Sequence, residues 1–165
     1  MSGETQVAEM KAPATYQEWL ICFDMMKGGS ASDNAVFESA KKGSFAGTEI
    51  TSASLQRQLV ETVNAVLDKS AKRFIKDLNN SITFNDFLQT ELLFHRLKKA
   101  IHRTLFFAEL SFLPQEFRSE LEQSVKEQMS AFWNDTLNFL QEQSMEFSNS
   151  ELEDVIFLVK RIKLF

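Results

Sequence analysis

The two histidines are the first residues to weigh for chemistry, because imidazole exchanges protons and binds transition metals near neutral pH. His95 and His102 both fall in the apolar-periodic stretch from Phe84 to Phe112, and with Glu91 they share one side of a helix. Di-iron bundles use Glu-x-x-His on paired helices, and the step from Glu91 to His95 is one residue longer. Two imidazoles seven residues apart stand about 10 Å apart along a helix axis, too far to share an ion unaided. The chain holds no His-Glu-x-x-His run and a single cysteine, so no metal site and no cofactor is expected. No serine sits in a Gly-x-Ser-x-Gly elbow, and Gly28-Gly29 leads into no phosphate-cradling loop, so no catalytic residue is expected either.

Basic side chains offer a second kind of chemistry. Lys69, Lys72, Arg73 and Lys76 form one band, and Arg96, Lys98, Lys99 and Arg103 form another. If the chain folds back near Ser81 to Thr83, Lys69 comes opposite His95, the bands approach each other, and an anion site becomes available. The competing expectation is neutralisation, with Glu120, Glu122 and Glu127 of a later helix lying alongside Lys98 to Arg103. A net charge of −5 argues against a general nucleic-acid binder, which presents a basic surface to phosphates.

The segment Arg96-Leu97-Lys98-Lys99-Ala100-Ile101-His102 resembles the Arg-x(4–6)-His pattern of HEPN-type ribonucleases. The resemblance covers two residues. It implies an all-helical dimer in which Arg96 positions phosphate and His102 acts as the acid–base group, and it supplies the enzymatic alternative.

Two long amphipathic stretches must position all of these groups. From Ser54 to Leu78, Leu55, Leu59, Val63, Val66 with Leu67, Phe74 and Leu78 recur at helical spacing. A polar break, Asn79-Asn80-Ser81, separates them from a second stretch running from Phe84 to Phe112. There Phe87, Phe94, Leu97, Ile101, Leu105, Ala108 and Phe112 form one stripe, while Leu88, Leu92, Phe106 and Leu110 form another. Ahead of this pair, Thr15-Tyr16-Gln17-Glu18 is a capping box opening a helix with Tyr16, Trp19, Leu20, Phe23 and Met26 inside, closed by Lys27-Gly28-Gly29. A short helix from Asp33 or Asn34 to Gly43 and a loop from Ser44 to Thr51 follow. This front pair has the outline of a helix-turn-helix, but its second helix offers only Asn34, Glu38, Lys41 and Lys42 to a DNA groove. After Pro114 a helix runs to about Met145. Ser150-Glu151-Leu152-Glu153 opens a last one carrying Val155, Ile156, Val159 and Ile162, with Ile162 to Phe165 expected to dock.

The composition points the same way. Sixteen phenylalanines bury large areas without a polar handle, and 5 Gly with 2 Pro leave little turn chemistry for a sheet. The expected fold is all-α, a mostly antiparallel bundle of about four longer helices with a short N-terminal helical pair. Residues 1–13 are read as a mobile tail and 14–165 as a single helical domain. Cys22, flanked by Leu20-Ile21 and Phe23, is expected to be a buried thiol, which suits a reducing compartment. The polar start resembles no signal peptide and no apolar run is long enough for a membrane span, so a cytoplasmic protein is expected. The second apolar stripe looks wider than one small bundle covers. The expected function is therefore a non-enzymatic helical interaction or oligomerisation module whose partner is another protein or a second copy.

Overall fold

In the computed structural model the described residues are 10–29 and 33–165, with side chains for all of these but Asp33, Leu88 and Phe147. Their regular elements are all helical, as expected from the composition: α1 (Tyr16–Gly28), α2 (Asp33–Lys41), α3 (Glu49–Thr83), α4 (Thr90–Leu105), α5 (Gln115–Phe147) and α6 (Ser150–Lys160). Short 3-10 turns, Phe87–Gln89 and Phe106–Glu109, flank α4. The described residues form two compact units, one comprising those up to Val66 with Leu110–Pro114, the other Leu67–Glu109 with Gln115–Phe165.

Trp19 organises the first unit. Its side chain is fully buried, and its indole N–H, which would be costly to bury unpaired, donates to the Ser44 carbonyl at 2.9 Å. Phe23 and Phe112 pack against it with ring centroids 5.6 and 5.5 Å away. The α1 capping box forms as the sequence implies: Thr15 Oγ1 accepts from the Glu18 amide at 3.2 Å, and Glu18 accepts from the Thr15 amide at 3.1 Å. The Lys11 ammonium and the Ala14 and Thr15 amides hold the Glu18 carboxyl down to about 2. This cap therefore helps the fold fully above the ordinary carboxylate range and is lost as pH falls towards 2. Gly29 closes α1 in the left-handed conformation, with φ 64° and its amide on the Met25 carbonyl. Of the stretch expected to be a tail, residues 1–9 lie outside the described residues. Residues 10–13 lie against α2, where the Ser39 hydroxyl donates to the carbonyls of Met10 and Lys11.

α3 is longer than the apolar pattern alone suggests. It starts at Glu49, not near Ser54, because the Thr48 hydroxyl accepts the Thr51 amide at 3.3 Å and serves as a cap. It also runs through Asn79-Asn80-Ser81, the expected break. Asparagine costs a helix less than about 0.7 kcal/mol per residue, and burial of Leu78 and Ser81 outweighs that. The reversal comes at Phe84 to Asp86, with Asn85 at φ 54°. Ser81 is the clamp of this turn: its carbonyl accepts the Asp86 amide at 2.9 Å, its hydroxyl donates to the Asp86 carbonyl, and it meets the Thr90 hydroxyl at 3.1 Å.

α4 is correspondingly shorter than the expected second arm. The apolar period persists beyond both ends of it because the 3-10 turns also bury their phenylalanines, Phe87 on one side and Phe106 and Phe107 on the other. In the second unit α3, α4 and α5 meet through one aromatic cluster. Phe74 packs edge-on against Phe94 at 4.9 Å, Phe94 against Trp133 at 4.8 Å, and Phe74 against Phe132 at 6.0 Å. α6 lies against α4 and α5 and buries Leu152, Ile156 and Val159. Its cap is Asn149, one residue before the expected box, with Oδ1 accepting the Leu152 amide at 3.2 Å. No strand occurs among the described residues.

Gly43 closes tightly on Trp19: a Cβ there would lie 2.5 Å from the indole Cζ2. Replacing Gly by Ala in a loop ordinarily adds about 0.4–1 kcal/mol by restricting the unfolded chain. Here Gly43→Ala is expected to destabilise instead, by about 1–3 kcal/mol, since the fully buried indole cannot retreat. Urea unfolding followed by tryptophan fluorescence measures this directly.

Candidate functional site

The basic bands are best located from the contact between Phe74 and Phe94. At about 100° per residue, Lys69, Lys72 and Lys76 point roughly 140–160° away from Phe74. By the same geometry Arg96, Lys99 and Arg103 point roughly 140–180° away from Phe94. Lys69, Lys72 and Lys76 on α3 and Arg96, Lys99 and Arg103 on α4 therefore point away from the contact between Phe74 and Phe94. Local partners hold several of these charges: Lys72 pairs with Asp68 at 2.7 Å and Arg73 with Asp77 at 3.9 Å. Glu122, expected to lie alongside α4, pairs with Lys126 on its own helix.

The histidines separate in the same way. His95 is exposed, with Nε2 3.6 Å from Glu91 Oε1. His102 is engaged by residues 163–165, which lie along α4. Its Nε2 is 2.6 Å from the Leu164 carbonyl, so that nitrogen carries the proton and donates, since a carbonyl only accepts. Lys98 Nζ donates to the Lys163 carbonyl, Leu164 is buried, and the Phe165 ring stands 5.6 Å from the imidazole and 5.9 Å from Lys126 Nζ. Arg96 and His102, the pair of the ribonuclease pattern, lie about 120° apart around α4 and roughly 9 Å apart along it. Among the described residues no three His, Cys, Asp or Glu side chains gather to hold a metal ion, and no helix is long and apolar enough to cross a membrane. Cys22 is buried, and that burial pushes its thiol up to about 11, leaving it a poor nucleophile at neutral pH.

What the second unit does present is a groove of about 420 Å³ between α3 and α5. Its floor is Leu67 and Met129, both buried, and its walls are Ala71, Ile75 and Phe132. Asp68, Lys72 and Gln128 stand at its rim. The groove exists because Ala71 is small where its neighbours are large, leaving depth between Leu67 and Ile75. Ile75 keeps 37% of its surface in solvent, and Phe139, on the same side of α5 as Phe132, keeps 39%. The apolar stripe thus continues along α5 beyond the groove.

Part of the apolar surplus expected from sequence is absorbed inside the chain. Phe106 and Leu110 are buried, Leu92 is 42% exposed, and the side chain of Leu88 lies outside the described residues. The groove was missed because Met129 and Phe132 fit a core stripe equally well. Its one sequence signal is Ile75, an apolar residue about 60–100° off the stripe of Leu67, Phe74 and Leu78. No family model, no curated protein and no solved structure matches the chain.

The contacts of residues 163–165 give a prediction for His102. His102→Ala removes the donor to the Leu164 carbonyl and the ring beside Phe165. Hydrogen exchange of the amides from Ile162 to Phe165 is expected to rise about tenfold, corresponding to about 1.4 kcal/mol of local protection. Exchange at Trp133 and Leu140, on α5, is expected to stay unchanged.

Proposed function

We propose that the chain is a non-enzymatic helical interaction module that takes its protein partner in the groove between α3 and α5. The observation carrying this reading is a largely apolar groove, open to solvent and walled in part by Ile75, which keeps 37% of its surface exposed. Such grooves accept the apolar side of a helix, whose anchors recur every third or fourth residue. From Leu67 to Ile75 the wall on α3 is about 12 Å long, or two helical turns, which matches two or three successive anchors. Catalysis has less to stand on, since the one cysteine thiol is buried and neutral at ordinary pH.

Ile75→Asp places a charge at the groove edge with little effect on the core. The protein recovered with the tagged wild type from its native cell is expected to be lost with this variant. If self-association is the mode, the rise in sedimentation coefficient with concentration is expected to vanish instead. A wild type that sediments as a monomer and recovers nothing, or a variant that behaves like wild type in both measurements, contradicts the proposal.

A further inference from the structure

Charge is unevenly spread over the second unit. The chain carries a net −5, yet residues 92–108 hold two Lys and two Arg, residues 155–165 hold two Lys and one Arg, and neither stretch contains an Asp or Glu. The fold joins the two stretches. Lys98 Nζ donates to the Lys163 carbonyl and His102 to the Leu164 carbonyl, so residues 163–165 lie along the side of α4 that carries Lys98 and His102. Lys98, Lys99 and His102 fall within about 100° of that helix. Lys99, His102, Lys160, Arg161 and Lys163 are exposed. Among the described side chains no carboxylate forms an ion pair with Lys98, Lys99, Lys160, Arg161 or Lys163, whereas Lys11, Lys41, Lys72 and Lys126 each have one. Lys160 reaches only a neutral amide, Gln141 Oε1 at 3.2 Å. The acids of α6, Glu151, Glu153 and Asp154, are confined to its start, and Glu122 on α5 is taken by Lys126.

Large apolar side chains stand among these cations. Phe157 is 65% exposed with the Arg161 guanidinium 5.8 Å from its ring, Phe165 is 43% exposed with Lys126 Nζ 5.9 Å from its ring, and Leu158 is 41% exposed. Cations interleaved with Phe and Leu suit a bilayer interface, where the cations meet lipid phosphates and the apolar side chains enter the boundary between headgroups and acyl chains. A nucleic acid would also supply phosphates and could stack bases on the phenylalanines, but it offers Leu158 nothing to bury against. The net charge does not oppose this. At physiological ionic strength charges are screened beyond about 8 Å, so a membrane senses the surface laid against it and not the acids elsewhere on the chain. We propose that the end of α4, the end of α6 and residues 161–165 form a membrane-contact surface for bilayers rich in anionic phospholipid. This surface shares no lining residue with the groove between α3 and α5 and does not rest on the reading of that groove.

Flotation of the full chain with vesicles of phosphatidylcholine, alone or with about one-third phosphatidylserine, tests the proposal. Binding to the serine vesicles is expected to be at least about tenfold tighter than to phosphatidylcholine and to weaken as salt is raised. Lys99→Glu with Lys163→Glu is expected to lower it about tenfold or more, and Phe157→Ser to lower it several-fold at every salt concentration. Lys42→Glu with Arg57→Glu makes the same change in net charge on exposed residues of the first unit and is expected to leave binding as it is. All five positions are exposed, and thermal melts establish that each variant is folded. Equal binding to the two kinds of vesicle, or to neither, would overturn the proposal. So would a loss as large with the Lys42 and Arg57 pair as with the Lys99 and Lys163 pair, since net charge and not this surface would then be responsible. Wild-type behaviour of Phe157→Ser would overturn the apolar part of the contact. Fluorescein-labelled oligothymidylate that binds the wild type but not the Lys99 and Lys163 variant, with no vesicle binding, would reject the membrane and assign these cations to nucleic acid.

Discussion

The second unit depends on three rings. Phe74, Phe94 and Trp133 come from three different helices and meet in sequence with their ring planes nearly perpendicular. Edge-to-face packing adds about 0.5–1.5 kcal/mol per pair to the burial of the rings themselves. Truncating a buried ring of this kind to alanine typically costs about 3–5 kcal/mol, a large share of the stability of a domain this size. The rings also fix rotation. With Phe74 turned inward, the side of α3 carrying Lys69, Lys72 and Lys76 has to face solvent. With Phe94 turned inward, Arg96 and Lys99 have to do the same. One packing constraint therefore decides which way the ionic groups of two helices point.

The same constraint leaves the groove. Phe74 and Phe132 touch at 6.0 Å and hold α3 and α5 at a separation set by aromatic bulk. One turn before Phe74, Ala71 has too little side chain to fill that separation. Leu67 and Met129 close the bottom of the gap, and Lys72 stands at its edge because the helix carries it there from the Phe74 anchor. The apolar floor and the paired Asp68 and Lys72 at the rim thus share one origin.

Helix content, the capping box at Thr15, the stop at Gly29, the buried thiol at Cys22 and the core role of Trp19, Phe74 and Phe94 were all legible in the sequence. Each rests on local propensity or on a strong apolar period, and both survive tertiary packing. The boundaries of α3 and α4 were not. Asn79 and Asn80 carry a weak helix-breaking tendency that burial of Leu78 and Ser81 overrides, and a buried 3-10 turn such as Phe106–Glu109 keeps the apolar pattern of the helix it ends. The groove was hidden for a different reason. A residue lining a gap and a residue filling a core have the same type and spacing, and Ala71 marks a vacancy only once Phe132 is known to stand opposite it. The contact of His102 with the Leu164 carbonyl joins positions 62 residues apart, which no local pattern encodes.

The account stands on the coupling between Phe74 and Phe94, and a double-mutant cycle measures it without reference to any partner. Phe74→Leu, Phe94→Leu and the double variant each keep an apolar side chain, so unfolding free energies isolate the ring–ring contact. The structure predicts a favourable coupling of about 0.5–1.5 kcal/mol. Strictly additive losses would mean that the rings do not hold α3 against α4, and the orientation of the basic bands on the two helices would lose its physical basis.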